Sequence, residues 1–321
     1  MDSLRIKKCL YRATLACLFI GSPGAGRMTD FPQENSSARP APAETGAILF
    51  TAVKKTDGSP AALRVEDVSI TEDKVPIKIE KIVCNKPEPV LIGILVDVSA
   101  SRRRDPLLNS HYAMLQDLAN RLIQDKSRVF LVDFSNTAVE LGSPTDNQSA
   151  VAAAFKQLRL DPPRGSTSMY DAISLSTGEE FSRSSGPRSL VVVGDWEDNS
   201  SAKDMPDTIE RAQRLGATVY AILDATDDVH YNKKFYKHAL STAEKFTNET
   251  GGQTFDVHGE KDFAAALNSI QKDIDGTCRV EYSASPSSQT TRVSKLHIEV
   301  RSKEVEIRYP KASLSGAPQP Q

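Results

Sequence analysis

The sequence predicts an α/β fold: a doubly wound, mostly parallel sheet with a small flanking antiparallel β subdomain built from the N- and C-terminal segments. Three observations carry this. Between residues 89 and 277, short apolar runs alternate with amphipathic helical stretches, as in a chain of βαβ units. The run Leu91–Val96 stops abruptly at Asp97, Ser99 and Ser101, which sets a carboxylate and two hydroxyls at a strand's C-terminal end, where open α/β sheets build their sites. Outside this region, segments such as Val75–Val83 alternate with period two, as half-buried antiparallel strands do.

The elements follow in order. Ala47–Lys54 reads as a strand closed by the turn Asp57-Gly58, and Val75–Val83 as a second strand with Pro76 near its start. After the strand at Val90–Val96, Asp105 is a candidate N-cap with Pro106 at the first helical position. Leu108, His111, Leu115, Leu118 and Leu122 then form one stripe at helical spacing, on which His111 is expected to pack. Strands are expected at Arg128–Phe134, Thr137–Leu141 (an edge), Ser189–Gly194, Thr218–Leu223 and Gln253–Val257. Helices are expected at Gln148–Leu158, Met169–Phe181, Pro206–Leu215, Lys233–Thr250 and Asp262–Asp275. Gly251-Gly252 reads as a helix stop. Strands at Arg279–Ser283, Lys295–Val300 and Val305–Tyr309 are expected to pair with the N-terminal ones, His297 being structural there. Residues 312–321 read as a loose tail.

Bulk properties narrow the function. The chain has 321 residues, 39% hydrophobic and 26% charged, and a formal net charge of −2, which argues against a generic nucleic-acid binder. No apolar run is long enough for an internal membrane span. Lys7, Lys8 and Arg12 precede the short apolar stretch Ala13–Gly21 and then SPGAG, so residues 1–26 read as a secretory signal cleaved after Gly26, the alternative being a cytosolic tail. Residues 27–46 form a Pro/Ser-rich linker. The remaining boundaries are 47–88 for the N-terminal β segment, 89–277 for the α/β domain and 278–311 for the C-terminal β segment.

The chemistry concentrates in three motifs. LIGILVDVSAS carries Asp97, Ser99 and Ser101; GSTSMYDAI carries Thr167; VVVGDWEDNSS ends a second apolar strand at Asp195. Oxygen-only donors of this kind suit a hard divalent cation such as Mg²⁺, or Mn²⁺. Strand-end Asp-x-Ser-x-Ser, then a Thr, then a strand-end Asp, in this order, resembles the metal-ion-dependent adhesion site of von Willebrand factor type A domains. With its flanking segments the chain resembles the bacterial, acidobacterial-type VWFA-related family over Ala47 to Pro310. The resemblance implies a Rossmann-like domain and a metal set of Asp97, Ser99, Ser101, Thr167 and Asp195. In it the serines bind directly, and Thr167 and the two aspartates bind directly or through water. It further implies a non-enzymatic, metal-dependent module outside the cytoplasm that captures an Asp or Glu of a protein partner.

Asp198 is expected to be solvated or to support the site, and Asp171 to support its own helix. The sequence departs from the family at Ala100, Ser166 and Trp196, each standing where a glycine is common. Trp196, with Arg102, Arg103 and Arg104, is a candidate partner-binding rim; the alternatives are a Trp packed on a neighbouring helix and a solvated basic loop. Once the signal is removed, Cys84 and Cys278 are the remaining cysteines. They bracket the domain, whose ends lie close together in the family, and so are candidates for a disulfide; two free thiols are the alternative. Competing functions are a scaffold with a vestigial metal site and a phosphohydrolase of the haloacid dehalogenase type, which Gly194, Asp195 and Asp198 imitate. That enzyme needs a second acid where this chain has Ser99.

Overall fold

The computed structural model describes residues 45–85, 88–160, 163–184, 186–224, 233–283 and 293–314. The expected signal, residues 1–26, and nearly all of the expected linker lie outside the described residues.

Among the described residues a six-stranded sheet forms the centre. Its strands are β5 (Leu91–Asp97), β6 (Arg128–Phe134), β7 (Ala138–Thr145), β8 (Arg188–Gly194), β9 (Ala217–Leu223) and β10 (Thr254–Asp256), in the order β10-β9-β8-β5-β6-β7. All neighbours pair in parallel except β7, which runs antiparallel to β6. β5, buried along its whole length, reads as continuous Leu, Ile and Val because both faces are covered. On one face Ile92, Ile94 and Val96 pack with helices α1 (Leu108–Gln124), α2 (Gln148–Leu160) and α7 (Glu260–Asp275). On the other, Leu91 and Leu95 pack with α3 (Met169–Ser176), α4 (Glu179–Arg183), α5 (Met205–Arg214) and α6 (Lys233–Thr250). Each fully buried Leu or Ile contributes about 1.5–3 kcal/mol, so this two-sided core is the main source of the domain's stability. Gly251, at φ +81°, ends α6 as the helix-stop reading requires.

The terminal segments form the expected antiparallel subdomain as two four-stranded sheets. One is β13 (Val305–Arg308), β1 (Thr45–Lys54), β11 (Thr277–Ser283) and β4 (Ile79–Val83). The other is β14 (Ala312–Leu314), β12 (Val293–Val300), β2 (Val68–Glu72) and β3 (Val75–Pro76). They enclose a separate core that includes Phe50, Ile70, Val280 and Ile298. Cys84 and Cys278 are joined by a disulfide, with their Cα atoms 3.9 Å apart. The β4–β11 register, Val83 opposite Arg279, brings the two cysteines face to face.

Several expectations need correction. Val75–Val83 is two strands in different sheets, because the chain crosses from β2's sheet to β11's after Pro76. The strand β2 has only a five-residue alternation and was not read from the sequence. β1 starts at Thr45, inside the expected linker, and Ala312–Leu314 in the expected tail pairs with β12. Asp105 does not cap α1: a short 3₁₀ turn over Ala100–Arg104 intervenes, α1 starts at Leu108, and Asp105 Oδ1 accepts the Leu107 N–H at 2.8 Å. The helix expected over Met169–Phe181 breaks into α3 and α4 at Thr177-Gly178. No helix among the described residues is long and apolar enough to cross a membrane.

Candidate metal centre

The strand order creates the site. From β5 the chain builds β6 on one side and β8 on the other, so the C-terminal ends of β5 and β8 flank the switch point where a crevice opens. Asp97 is the last residue of β5 and Asp195 follows β8 directly. Gly194 lets them approach: a Cβ there would lie 2.7 Å from Asp97 Cβ.

Ser99 and Ser101 occupy the turn after β5. The Ser99 N–H donates to Asp97 Oδ1 at 2.7 Å, which folds the chain back over the strand end. Ser99 Oγ and Ser101 Oγ are 2.8 Å apart, and Ser101 Oγ donates to Asp195 Oδ2 at 2.7 Å. Four of the sequence-selected residues thus sit in one cluster. Thr167 is brought alongside through the backbone. The Ala100 N–H donates to the Gly165 carbonyl at 3.1 Å, Thr167 N–H donates to Asn199 Oδ1 at 2.9 Å, and the Thr167 carbonyl accepts from the N–H groups of Asn199 and Ser200. Asp97, Ser99, Thr167 and Asp195 are all buried and Ser101 is half-buried.

Electrostatically the cluster is incomplete. Asp97 Oδ2 is buried without a hydrogen-bond partner among the described residues. Burial, and next the nearby Asp195 charge, push the Asp97 carboxyl up from 3.8 to about 7, against the lowering effects of the Ser99 N–H and Arg102. Glu197, unread in the sequence, adds to this: its carboxyl is raised by burial and by Asp195, opposed by His238, and its Oε1 has no hydrogen-bond partner among the described residues. A divalent cation supplies what these oxygens lack, so the donor set fits one.

In chelator, replacing the charge should therefore stabilise the fold. Asp97→Asn is expected to raise metal-free stability by roughly 1–3 kcal/mol, the scale of an unsatisfied buried polar group, as read by thermal melting at pH 8. The pH sign follows. Folded Asp97 keeps its proton to about pH 7 and the unfolded chain only to about 3.8. The metal-free wild type then loses stability as pH rises through that window, and the variant's advantage vanishes in acid. A variant that melts no higher than wild type at pH 8 contradicts this.

The expected rim is corrected at two positions. Arg102 is only 2% exposed and does not face a partner. Its guanidinium reaches Asp105 Oδ2 at 2.6 Å and Asp224 Oδ2 at 2.5 Å, and donates to the Asp224 carbonyl. His111 Nδ1 lies 2.8 Å from the same Asp224 oxygen, and its ring stacks on Phe263 at 4.0 Å. Asp105, His111 and Asp224 have donor atoms close enough to share a metal ion, but the Arg102 cation already stands between the two carboxylates. Burial alone would push Asp224 up; the His111 hydrogen bond and Arg102 hold it below its ordinary value. Asp224 was not singled out in the sequence, although it too follows a strand. Arg103 and Arg104 are exposed.

Trp196 is the second correction. It is 1% exposed and packs edge-on against Phe246 of α6, ring centroids 5.8 Å apart. Its backbone has φ +57°, a conformation that favours glycine. The strain is of order 1–3 kcal/mol, and burying an indole outweighs it. Of the flanking acids, Asp198 accepts from Tyr170 N–H and Ser201, and Asp171 accepts from the N–H groups of Ala202 and Lys203. Both fasten the loop after β8 to the start of α3.

Residues 92–197 match the family model of the von Willebrand factor type A domain. No curated protein matches the chain significantly. Solved structures similar to it include an aerotolerance-related membrane protein from Bacteroides fragilis, at 17% identity over 58% of this chain and 98% of that one, with a TM-score of 0.42. A von Willebrand factor type A protein from Catenulispora acidiphila shares 8% identity over 85% of this chain and 74% of its own, with a TM-score of 0.45. The proximal thread matrix protein 1 of the mussel byssus, solved with a zinc-occupied MIDAS motif, shares 12% identity over 63% and 49%, with a TM-score of 0.46.

Proposed function

We propose that this chain, whose residues 92–197 match the von Willebrand factor type A domain, carries such a domain as a non-enzymatic, divalent-cation-dependent protein-binding module that works outside the cytoplasm. The observation that carries the reading is the buried Asp97 Oδ2, which has no hydrogen-bond partner among the described residues although it lies beside Asp195 and the hydroxyls of Ser99 and Ser101. Asp97, Ser99, Ser101, Thr167 and Asp195 would hold the cation, Mg²⁺ or Mn²⁺. Bound there, it supplies a Lewis-acidic position for one more oxygen donor. Two carboxylates and neutral hydroxyls leave the donor set short of ligands, and an Asp or Glu of a partner protein completes it.

The chain's own residues prepare this. Ser99 N–H orients the Asp97 carboxylate, Ser101 bridges Ser99 to Asp195, and Asn199 fixes the Thr167 backbone. Arg103 and Arg104, exposed beside the turn, remain as a basic rim that attracts an acidic partner. A hydroxyl at position 99, where a phosphohydrolase would need its second acid, supports binding over catalysis.

Calorimetry tests the reading. The wild-type chain is expected to bind Mg²⁺ or Mn²⁺, and Asp97→Ala to lose that binding while keeping its circular dichroism spectrum. A peptide presenting a single Asp should bind in Mg²⁺ and not in chelator. Equal metal binding by the variant would reject the cation site; metal binding with no metal-dependent capture of any carboxylate peptide would reject the partner chemistry.

A further inference from the structure

A second site is suggested at the opposite end of the sheet. Where β1 and β14 of the antiparallel subdomain meet the start of β8, β9 and the end of α5, there is a cavity of about 100 Å³. Arg188, Ser189, Thr218 and Gln213 line it with Leu296 and Leu314.

Arg188 is the unusual member. It is 8% exposed. A guanidinium has five N–H donors. Here one terminal nitrogen donates to the Leu215 carbonyl and the other to the Ser184 carbonyl. Nε is buried with no hydrogen-bond partner among the described residues, and no carboxylate is paired with Arg188 among them. Burial lowers its proton affinity, and the charge of Arg279, which repels it, lowers it further. Arg279 is itself paired with Glu88, and Arg308, which also lines the cavity, is paired with Asp273 and Glu306. A buried cation that meets only carbonyl oxygens and another cation is costly unless a counter-charge arrives. Guanidinium groups bind carboxylates and phosphates with two parallel hydrogen bonds. The cavity offers hydroxyls at Ser189 and apolar walls at Leu296 and Leu314 beside that cation.

We propose that this cavity binds a small oxyanion, of the size of a short-chain carboxylate or inorganic phosphate, with the Arg188 guanidinium as its counter-charge. The site lies away from the metal centre, at the N-terminal end of β8, whose C-terminal end leads to Asp195, and of its neighbour β9. It depends on none of the metal-centre residues. An anion there would join the central sheet to β1 and β14, so binding should also raise the melting temperature.

The experiment uses the full chain in low-chloride buffer, with butyrate and inorganic phosphate titrated separately by calorimetry and thermal shift. Wild type is expected to bind at least one of the two; binding of butyrate alone identifies a carboxylate site and of phosphate alone a phosphoryl site. Arg188→Gln should weaken that binding roughly tenfold or more, the scale of one charge-assisted pair. Because Arg188→Gln removes hydrogen bonds and could unfold the chain, Thr218→Leu provides a second arm. It narrows the cavity without removing the cation, and should weaken binding similarly. Absence of binding of both anions to wild type overturns the proposal, as does undiminished binding by Thr218→Leu.

Discussion

Replacing both Cys84 and Cys278 by serine is expected to destabilise the protein by about 3–5 kcal/mol. The bond closes a loop with a sequence separation of 194 residues. In the chain-entropy model a loop of this length is worth about 5 kcal/mol, and native-state relaxation reduces the realised value. The position adds to it. Cys278 is fully buried in the subdomain core, and β11 pairs with both β1 and β4. The bond therefore ties the strand leading into the α/β domain to the strand leaving it. Denaturant melts of oxidised wild type, reduced wild type and the double serine variant measure the effect. Coincident midpoints for oxidised and reduced protein would remove the bond from the stability argument.

Arg102→Met is expected to cost about 3–5 kcal/mol, although the basic run around it looks like a surface feature. Removing the guanidinium leaves Asp105 and Asp224 buried together without their cation, and breaking one side of a buried ion pair costs on this scale. Asp224→Asn in the same background should recover much of the loss, since it removes one of the stranded charges. By contrast, Arg103→Ala and Arg104→Ala should each change stability by less than about 0.5 kcal/mol, as exposed positions do. Urea melts of the four variants separate the two classes. A mild effect of Arg102→Met, similar to those of its neighbours, would show that Arg102 is exposed in solution.

The disulfide and Arg102 mark where sequence reading succeeds and where it stops. The alternation of buried strands with amphipathic helices was legible because period and composition are local: β5 and β8 are continuous apolar runs, and α1 carries its stripe at helical spacing. The cysteine pair was legible because the two positions bracket a domain whose ends, by the family resemblance, lie close together. The site carboxylates were legible because each stands at the end of an apolar strand. The direction of a side chain in a loop is not local. Arg102, Arg103 and Arg104 are one run of identical residues, yet the 3₁₀ turn buries the first and exposes the other two.

The sequence by itself determined the α/β class and the alternation of strands with helices, because periodicity suffices for these, and the oxygen-rich set Asp97, Ser99, Ser101, Thr167 and Asp195 came from the sequence through its resemblance to a known motif order. Only the tertiary structure decided that Trp196 packs on Phe246, that Asp105 and Asp224 receive Arg102, and that residues 75–83 divide between two sheets. Each of these depends on a partner distant in the chain, and it is burial against that partner, with the charge or apolar surface it brings, that overrides the local preference.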